Sequence, residues 1–261
     1  MKKFLVIAVT FIGFSFSANA QFNWGVKAGL NISSFSGFEK VQMNDYGYSY
    51  KLEQSSKAGF HVGINVQYMF TPQIGIESGF FLSTLGAKLK YVSEVSNIYY
   101  DYTNAGTGGI GDIVADGGWR EEGKITVNPV YLQLPISFLY KFNLGKNLYL
   151  YPSAGFYLGY GIDGKIKTKY TLRDYWSIYN ETVKFDVFGI HYVEDVGAVE
   201  IANRFDMGLI GGLTLQYSKF TFGVAYQQGL TIFSEGSNDA VGITSDDLKN
   251  RNFKISVGYF F

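Results

Sequence analysis

Asn252-Phe253-Lys254-Ile255-Ser256-Val257-Gly258-Tyr259-Phe260-Phe261, the C-terminal stretch, is the segment whose reading decides the fold. Phe253, Ile255, Val257, Tyr259 and Phe261 recur at every second position, and Asn252, Lys254, Ser256 and Gly258 fill the gaps. Successive side chains of an extended chain point to opposite faces, so this is a strand with one aromatic, apolar face and one small, polar face. A soluble barrel would turn its apolar side inward and its charges outward. Small polar residues with few charges suit a crowded interior instead, which leaves the aromatic side to meet lipid.

The same period recurs upstream over residues 23–35, 57–70, 74–91, 124–142, 148–160, 204–217 and 220–233, making eight strands with 252–261. Phe60, Val62, Ile64, Val66, Tyr68 and Phe70 alternate with Gly59, His61, Gly63, Asn65 and Gln67, for example. Tyr149, Tyr151 and Tyr157 fall on the polar side of the fifth strand, where they would help fill a narrow lumen. Pro135 removes a ladder hydrogen bond from the fourth strand and is expected to mark a bulge. Links after the second, fourth and sixth strands are tight, at Thr71-Pro72-Gln73, 143–147 and Ser218-Lys219. Those after the first, third, fifth and seventh are long, at 36–56, 93–123, 162–203 and 234–251. Lys88 and Lys90 are expected beyond the hydrocarbon. This alternation predicts an all-β, eight-stranded antiparallel up-and-down transmembrane β-barrel. Its turns are short and periplasmic, its four long loops extracellular, and both termini periplasmic. The sheet must close, because unpaired strand edges do not survive in hydrocarbon.

At the other end, Lys2 and Lys3 precede an apolar run from Phe4 to Phe16 and a small-residue site, Ala18-Asn19-Ala20. The pattern is that of a signal peptide over residues 1–20, with a mature outer-membrane domain over 21–261. The run is shorter than the roughly 20 residues a helical span needs. With Cys 0, a lipid-tethered cysteine, disulfides and cysteine metal sites are excluded. The formal charge is 0 and turns slightly negative once Lys2 and Lys3 are removed, so no basic field points to nucleic acid as a partner. An aromatic content of 18% beside 17% charged residues fits lipid-facing strands with aromatic girdles.

Trp24-Gly25-Val26-Lys27-Ala28-Gly29-Leu30-Asn31 resembles the opening of the PorT-like outer-membrane β-barrel family, eight-stranded barrels of the OmpA and OmpX type in the cell envelope of Gram-negative bacteria. Tyr131-Leu132-Gln133-Leu134-Pro135, Ala154-Gly155-Phe156-Tyr157-Leu158-Gly159 and Tyr226-Gln227-Gln228-Gly229-Leu230 are similar to further stretches of that family. The resemblance implies location and fold more than activity, although one member is associated with the type IX secretion system. Terminal Phe261 likewise resembles the C-terminal signature read by the barrel-assembly machinery.

Function is less legible. An eight-stranded barrel is about wide enough for side chains to fill it, so a diffusion pore is not expected. Lys27, Glu77 and Lys141 are expected to point inward near the periplasmic end, and His61, Arg204, Asp206 and Lys254 nearer the outer end. Buried charges need partners, so two internal ion-pair clusters are expected, with Glu77 pairing Lys141 or Lys27; an ion or proton path is the sharper alternative. His61 and His191, the chain's two histidines, show no Ser/His/Asp spacing, which argues against an outer-membrane lipid-modifying enzyme. Gly106-Thr107-Gly108-Gly109-Ile110-Gly111 matches a dinucleotide pattern by letters only and reads as loop. Asp112, Asp116, Asp239, Asp246 and Asp247 lack calcium-ligand spacing. No cofactor, catalytic residue or metal ligand is therefore expected. Loop aromatics, Tyr46, Tyr48, Tyr50, Tyr99, Tyr100, Tyr102, Trp119, Tyr175, Trp176 and Tyr179, suit binding of sugar or protein, or else pack the hairpins that carry them. The sequence thus points to a non-enzymatic barrel for surface recognition or docking. Its partners would be outer-membrane lipid, the assembly machinery, and other envelope proteins or surface glycans. A narrow channel or an accessory subunit of a secretion or uptake complex is the alternative.

Overall fold

The computed structural model describes residues 21–45, 47–95, 118–174, 177–193, 197–200, 202–234, 237–238, 243–244 and 247–261. The expected signal segment, 1–20, lies outside them. In chain order the strands are β1 (Gln21–Ser36), β2 (Val41–Asp45), β3 (Tyr48–Met69), β4 (Ile74–Thr84), β5 (Ala87–Val95), β6 (Trp119–Tyr140), β7 (Phe142–Gly145), β8 (Leu148–Arg173), β9 (Ile178–Asp186), β10 (Ile190–Val193), β11 (Gly197–Glu200), β12 (Phe205–Tyr217), β13 (Phe220–Gly229), β14 (Ser237–Asn238), β15 (Ile243–Thr244) and β16 (Lys249–Phe260).

Antiparallel pairings run β1–β3–β4–β6–β8–β12–β13–β16 and return from β16 to β1, an eight-stranded ring. Thr71 starts the first tight turn by accepting the Gln73 and Ile74 amides on its hydroxyl at 3.2 and 2.9 Å. Asn147 and Ser218 adopt left-handed φ of 59° and 54° in the other two, as tight hairpin turns require. At this turn end Trp24 stacks on Phe261 at 4.3 Å, and the Phe261 amide donates to the Trp24 carbonyl at 3.0 Å, so the last residue seals the seam between β16 and β1.

Through the lower half of the ring the polarity is inverted. Ile64, Leu209 and Val257 are exposed on the outer wall at 53%, 56% and 53%, while Asn31, Asn65, Gln133 and Asn252 are buried inside. Burying amides while leaving whole rows of Leu, Ile, Val and Phe uncovered is unfavourable in water and favourable in hydrocarbon.

The strands do not stop where the sequence pattern becomes charged. β8 runs for 26 residues, about 86 Å of strand at ~3.3 Å per residue, or roughly 65 Å of height at a tilt near 40°, against a hydrocarbon core of about 30 Å. Much of the expected loops 36–56, 93–123 and 162–203 is thus strand: β2 pairs with the start of β3, β5 with the start of β6, and β9 with the end of β8. In this upper sheet the polarity reverts to that of a soluble protein. Leu52, Leu89, Ile125 and Ile166 meet inside with Phe35, Leu85, Val187 and Phe188, and charged side chains face out.

Two local devices set the register. β4 and β5 are separated by Leu85 and Gly86, and Gly86 holds φ at 113°, where an added Cβ would lie 2.1 Å from the Val127 carbonyl oxygen. Only glycine fits there. On β8 the pairing with β6 slips by one residue between Val130 and Tyr131, opposite Ile162. No bulge therefore falls on β6 at Pro135; the extra residue is Ile162 of β8, opposite Val130 and Tyr131. At Pro135 the register with β8 is continuous, and the proline interrupts only the ladder to β4, across Gly79 and Phe80. There the Ser78 hydroxyl donates to the Pro135 carbonyl at 2.9 Å.

Candidate functional site

The lumen is a chain of polar contacts. Lys27 Nζ lies 2.6 Å from Glu77 Oε1, the two side chains 12% and 26% exposed. Asn31 Nδ2 donates to the Phe60 and Thr84 carbonyls at 2.9 and 3.1 Å, which turns its Oδ1 to His61 Nδ1 at 2.8 Å. That oxygen can only accept, so Nδ1 carries a proton, and Nε2 lies 2.9 Å from the Ser256 hydroxyl. Lys254 Nζ donates to Gln133 Oε1 at 2.9 Å, and Thr231 Oγ1 to Asp206 Oδ1 at 3.2 Å. His61 thus touches an amide and a hydroxyl, with no carboxylate to orient it as a base.

Two of the charges expected inside join no ion pair among the described residues. Lys141 lies at the turn end of β6 and stands 4.0 Å over the Tyr149 ring, leaving Glu77 to Lys27. Arg204 joins no ion pair among the described residues; its guanidinium donates to the Gly161 and Phe188 carbonyls at 3.0 and 3.4 Å, above the lumen. Both are at strand ends, where the lumen opens and backbone or ring partners are available.

Lys27, His61, Glu77 and Lys254 wall a cavity of about 70 Å³, room for roughly five waters at about 10–15 Å³ each. A second cavity of about 10 Å³ toward the turn end shares Glu77, Ser153 and Thr214 with it. Toward the other end the passage is shut. Tyr131 is fully buried and meets Phe188 edge-to-face at 5.7 Å, and the apolar cluster of the upper sheet stands above both.

On the upper sheet, Glu53 is bridged by Lys40 and Lys51 at 2.9 and 3.0 Å, and hydrogen bonds from both ammonium groups hold its carboxyl down at about 2. Tyr91 donates to Glu121 at 2.5 Å and Tyr170 to Glu181, the latter bond pushing the Tyr170 phenol up to about 12. These tyrosine–carboxylate pairs escaped the sequence reading, because Tyr91–Glu121 and Tyr170–Glu181 meet only across strand ladders. Trp119 opens β6 and is half-buried; Tyr48 accepts the Ser93 hydroxyl at 3.2 Å; Tyr179 donates to Glu181 at 3.2 Å. Tyr46, Tyr99, Tyr100, Tyr102, Tyr175 and Trp176 lie outside the described residues, as do Asp112, Asp116, Asp239, Asp246 and the 106–111 glycine run. His191 lies on β10 opposite Val199, its side chain outside the described part. No cluster of three metal-ligating side chains occurs among the described residues.

Among solved structures the chain is similar to Ail, the attachment invasion locus protein of Yersinia pestis, at 10% identity over 92% of this chain and 99% of that one, with a TM-score of 0.32. Ail of Yersinia pestis in complex with the heparin analogue sucrose octasulfate gives 14% identity, the same coverage and a TM-score of 0.33. Neisserial surface protein A gives 10% identity, 94% and 100% coverage, and a TM-score of 0.34. No curated protein matches. The family described as outer membrane protein beta-barrel domain matches residues 15–235, which take in every strand of the ring but the last, and this chain belongs to that family.

Proposed function

We propose that this outer-membrane barrel works as a surface-recognition protein, without catalysis, and that its working part is the sheet standing above the bilayer. The observation that carries this reading is the second core. Leu52, Leu89, Ile125 and Ile166, from four strands, are buried together above the membrane band. A loop needs no such core, and a strut that must hold its shape does. In this reading residues 1–20 are a signal peptide and the short turns face the periplasm with both termini. The long hairpins face outward, as in other barrels of the Gram-negative outer membrane. The stretches Trp24–Asn31 and Tyr131–Pro135 support placing it with the PorT-like barrels, which makes another envelope protein or a surface glycan the natural partner.

A channel is the weaker reading, since Tyr131 and Phe188 block the lumen. Mild-detergent pull-down followed by mass spectrometry, comparing the intact chain with one whose β8–β9 tip is shortened by excising 171–180, tests recognition. That excision spares Val187 and Phe188, which plug the barrel. Loss of the captured partner with barrel folding intact is expected; an unchanged partner set, or turnover of a phospholipid dependent on His61, overturns the reading.

A further inference from the structure

We propose that the outer face of the upper sheet is a binding site for a phosphorylated glycolipid headgroup of the surrounding outer leaflet. The inference takes the outward orientation of the long hairpins from the reading above.

The site is built by register. Lys90 lies opposite Lys124, and Lys124 opposite Lys169, on three adjacent strands; one row nearer the bilayer, Lys88 lies opposite Thr126, Thr126 opposite Lys167, and Lys167 opposite Lys184. Directly opposite residues share a face, with Cβ atoms about 4.5–5.5 Å apart, and like charges so placed destabilise a sheet. The intervening Ala87, Leu89, Ile125 and Ile166 are buried in the upper core, so the six lysines point away from it, along the barrel wall.

Glu53 stands opposite Lys90 across β3 and β5, but its salt bridges go to Lys40 and Lys51. Among the described residues none of the six is in an ion pair, and the neighbouring carboxylates are engaged elsewhere: Glu53 with Lys40 and Lys51, Glu94 and Glu122 with Arg120, Glu121 with Tyr91, Glu181 with Tyr170, Asp186 with Lys165. Two uncompensated rows call for an external anion.

Height selects which one. On β8 the exposed apolar wall ends at Tyr160 and Ile162; Lys167 and Lys169 follow five and seven residues on, roughly 13 and 18 Å higher at ~3.3 Å per residue and a 40° tilt. A headgroup layer adds only some 5–8 Å to each side of the hydrocarbon. A lysine stem reaching down from Lys88 or Lys167 meets that layer, and Lys90, Lys124 and Lys169 stand where the sugars of a glycolipid would lie. The face looks sideways into the leaflet, so its occupant is a lipid rather than a soluble polyanion.

The test uses the full-length barrel refolded in phosphatidylcholine nanodiscs doped with diphosphorylated lipid A or with its dephosphorylated form. Lipid retained through detergent exchange is read by native mass spectrometry. The wild-type chain is expected to retain the phosphorylated lipid at least tenfold more strongly. Lys90→Gln/Lys124→Gln/Lys169→Gln should lose that preference, and the corresponding triple Lys→Arg variant should keep it. Lys167→Gln/Lys184→Gln serves should the first triple fail to show the mobility shift of a folded barrel. Equal retention of the two lipids, retention unchanged in the Gln variants, or displacement of the lipid by dextran sulfate bound through the same lysines overturns the proposal.

Discussion

Glu77 is the one carboxylate on the wall of the larger lumen cavity, 2.6 Å from Lys27, and Lys254, bonded to Gln133, lines the same cavity. Glu77→Gln therefore leaves Lys27 with no carboxylate on a wall that Lys254 also lines, whereas Lys27→Met leaves a carboxylate on a wall that still carries the Lys254 ammonium. Deleting one member of a buried pair costs about 3–5 kcal/mol. Glu77 is 26% exposed, toward a cavity with room for water, which lowers the expectation for Glu77→Gln to about 2–3 kcal/mol, roughly a 30- to 150-fold shift in the folding equilibrium at ~1.4 kcal/mol per decade. Lys27→Met should cost about 1 kcal/mol, and the double variant less than the sum, with a coupling of about 1–2 kcal/mol. Urea titration of protein refolded into vesicles, followed by tryptophan fluorescence and by gel mobility of unheated samples, measures all three. If Glu77→Gln proves milder than Lys27→Met, or the two effects add within ~0.5 kcal/mol, the charge arithmetic of the lumen is wrong.

The same titration should find Ile64→Arg destabilising by about 2–4 kcal/mol at the middle of the lipid wall; a change under ~0.5 kcal/mol would mean that this face meets water. Tyr131→Ala/Phe188→Ala should create single-channel conductance in planar bilayers where the wild type has none, and a silent variant would show that the plug lies elsewhere. Gly86→Val should cost about 1–3 kcal/mol because its backbone is left-handed and crowded by the Val127 carbonyl; no loss would relocate the strain. Glu53's carboxyl is depressed to about 2 from its ordinary 4.5 by Lys40 and Lys51, so its support of the β2–β3 hairpin is full above pH 4.5 and lost as pH falls through about 2. Amide protection factors in β2 should drop over that window relative to the β1–β16 seam, and parallel behaviour of the two would refute the assignment.

Much of the barrel was readable from period two alone, since Phe253, Ile255 and Val257, or Phe60, Val62 and Ile64, repeat without interruption across the lipid band. Sequence pattern failed where solvent changes. Lys165, Lys167 and Lys169 looked like the start of a loop, because a lipid-facing strand cannot carry them, yet a strand already clear of the bilayer can. Lys27 with Glu77 could be paired by register, whereas Lys141 and Arg204 could not be placed, their partners being the Tyr149 ring and two backbone carbonyls that no pattern announces. The lysine rows were invisible for the same reason as the tyrosine–carboxylate pairs: each depends on which residues of distant strands come opposite, and that follows from bulges rather than composition.

Those bulges explain how one alternation serves two solvents. On β8, Phe156 and Leu158 share sequence parity with Ile166, and on β3, Phe60 and Val62 share it with Leu52. A straight strand would keep them all on one face, placing Ile166 and Leu52 in water above the membrane and the lysines of β8 over the lumen. A one-residue slip turns every later side chain to the opposite face. On β8 it falls opposite Tyr131. On β3 it falls between His61, opposite Ser83, and Ser56, opposite Ala87, where β3 passes from β4 to β5. β6 crosses the same level without a slip and instead inverts its composition, from Leu132 outside and Gln133 inside to Lys124 outside and Ile125 inside. The slips on β3 and β8, which flank β4, β5 and β6, bring all these strands into agreement beyond the lipid band, and the same two slips close the lumen under an apolar core and turn the lysine rows to the outer face of the wall.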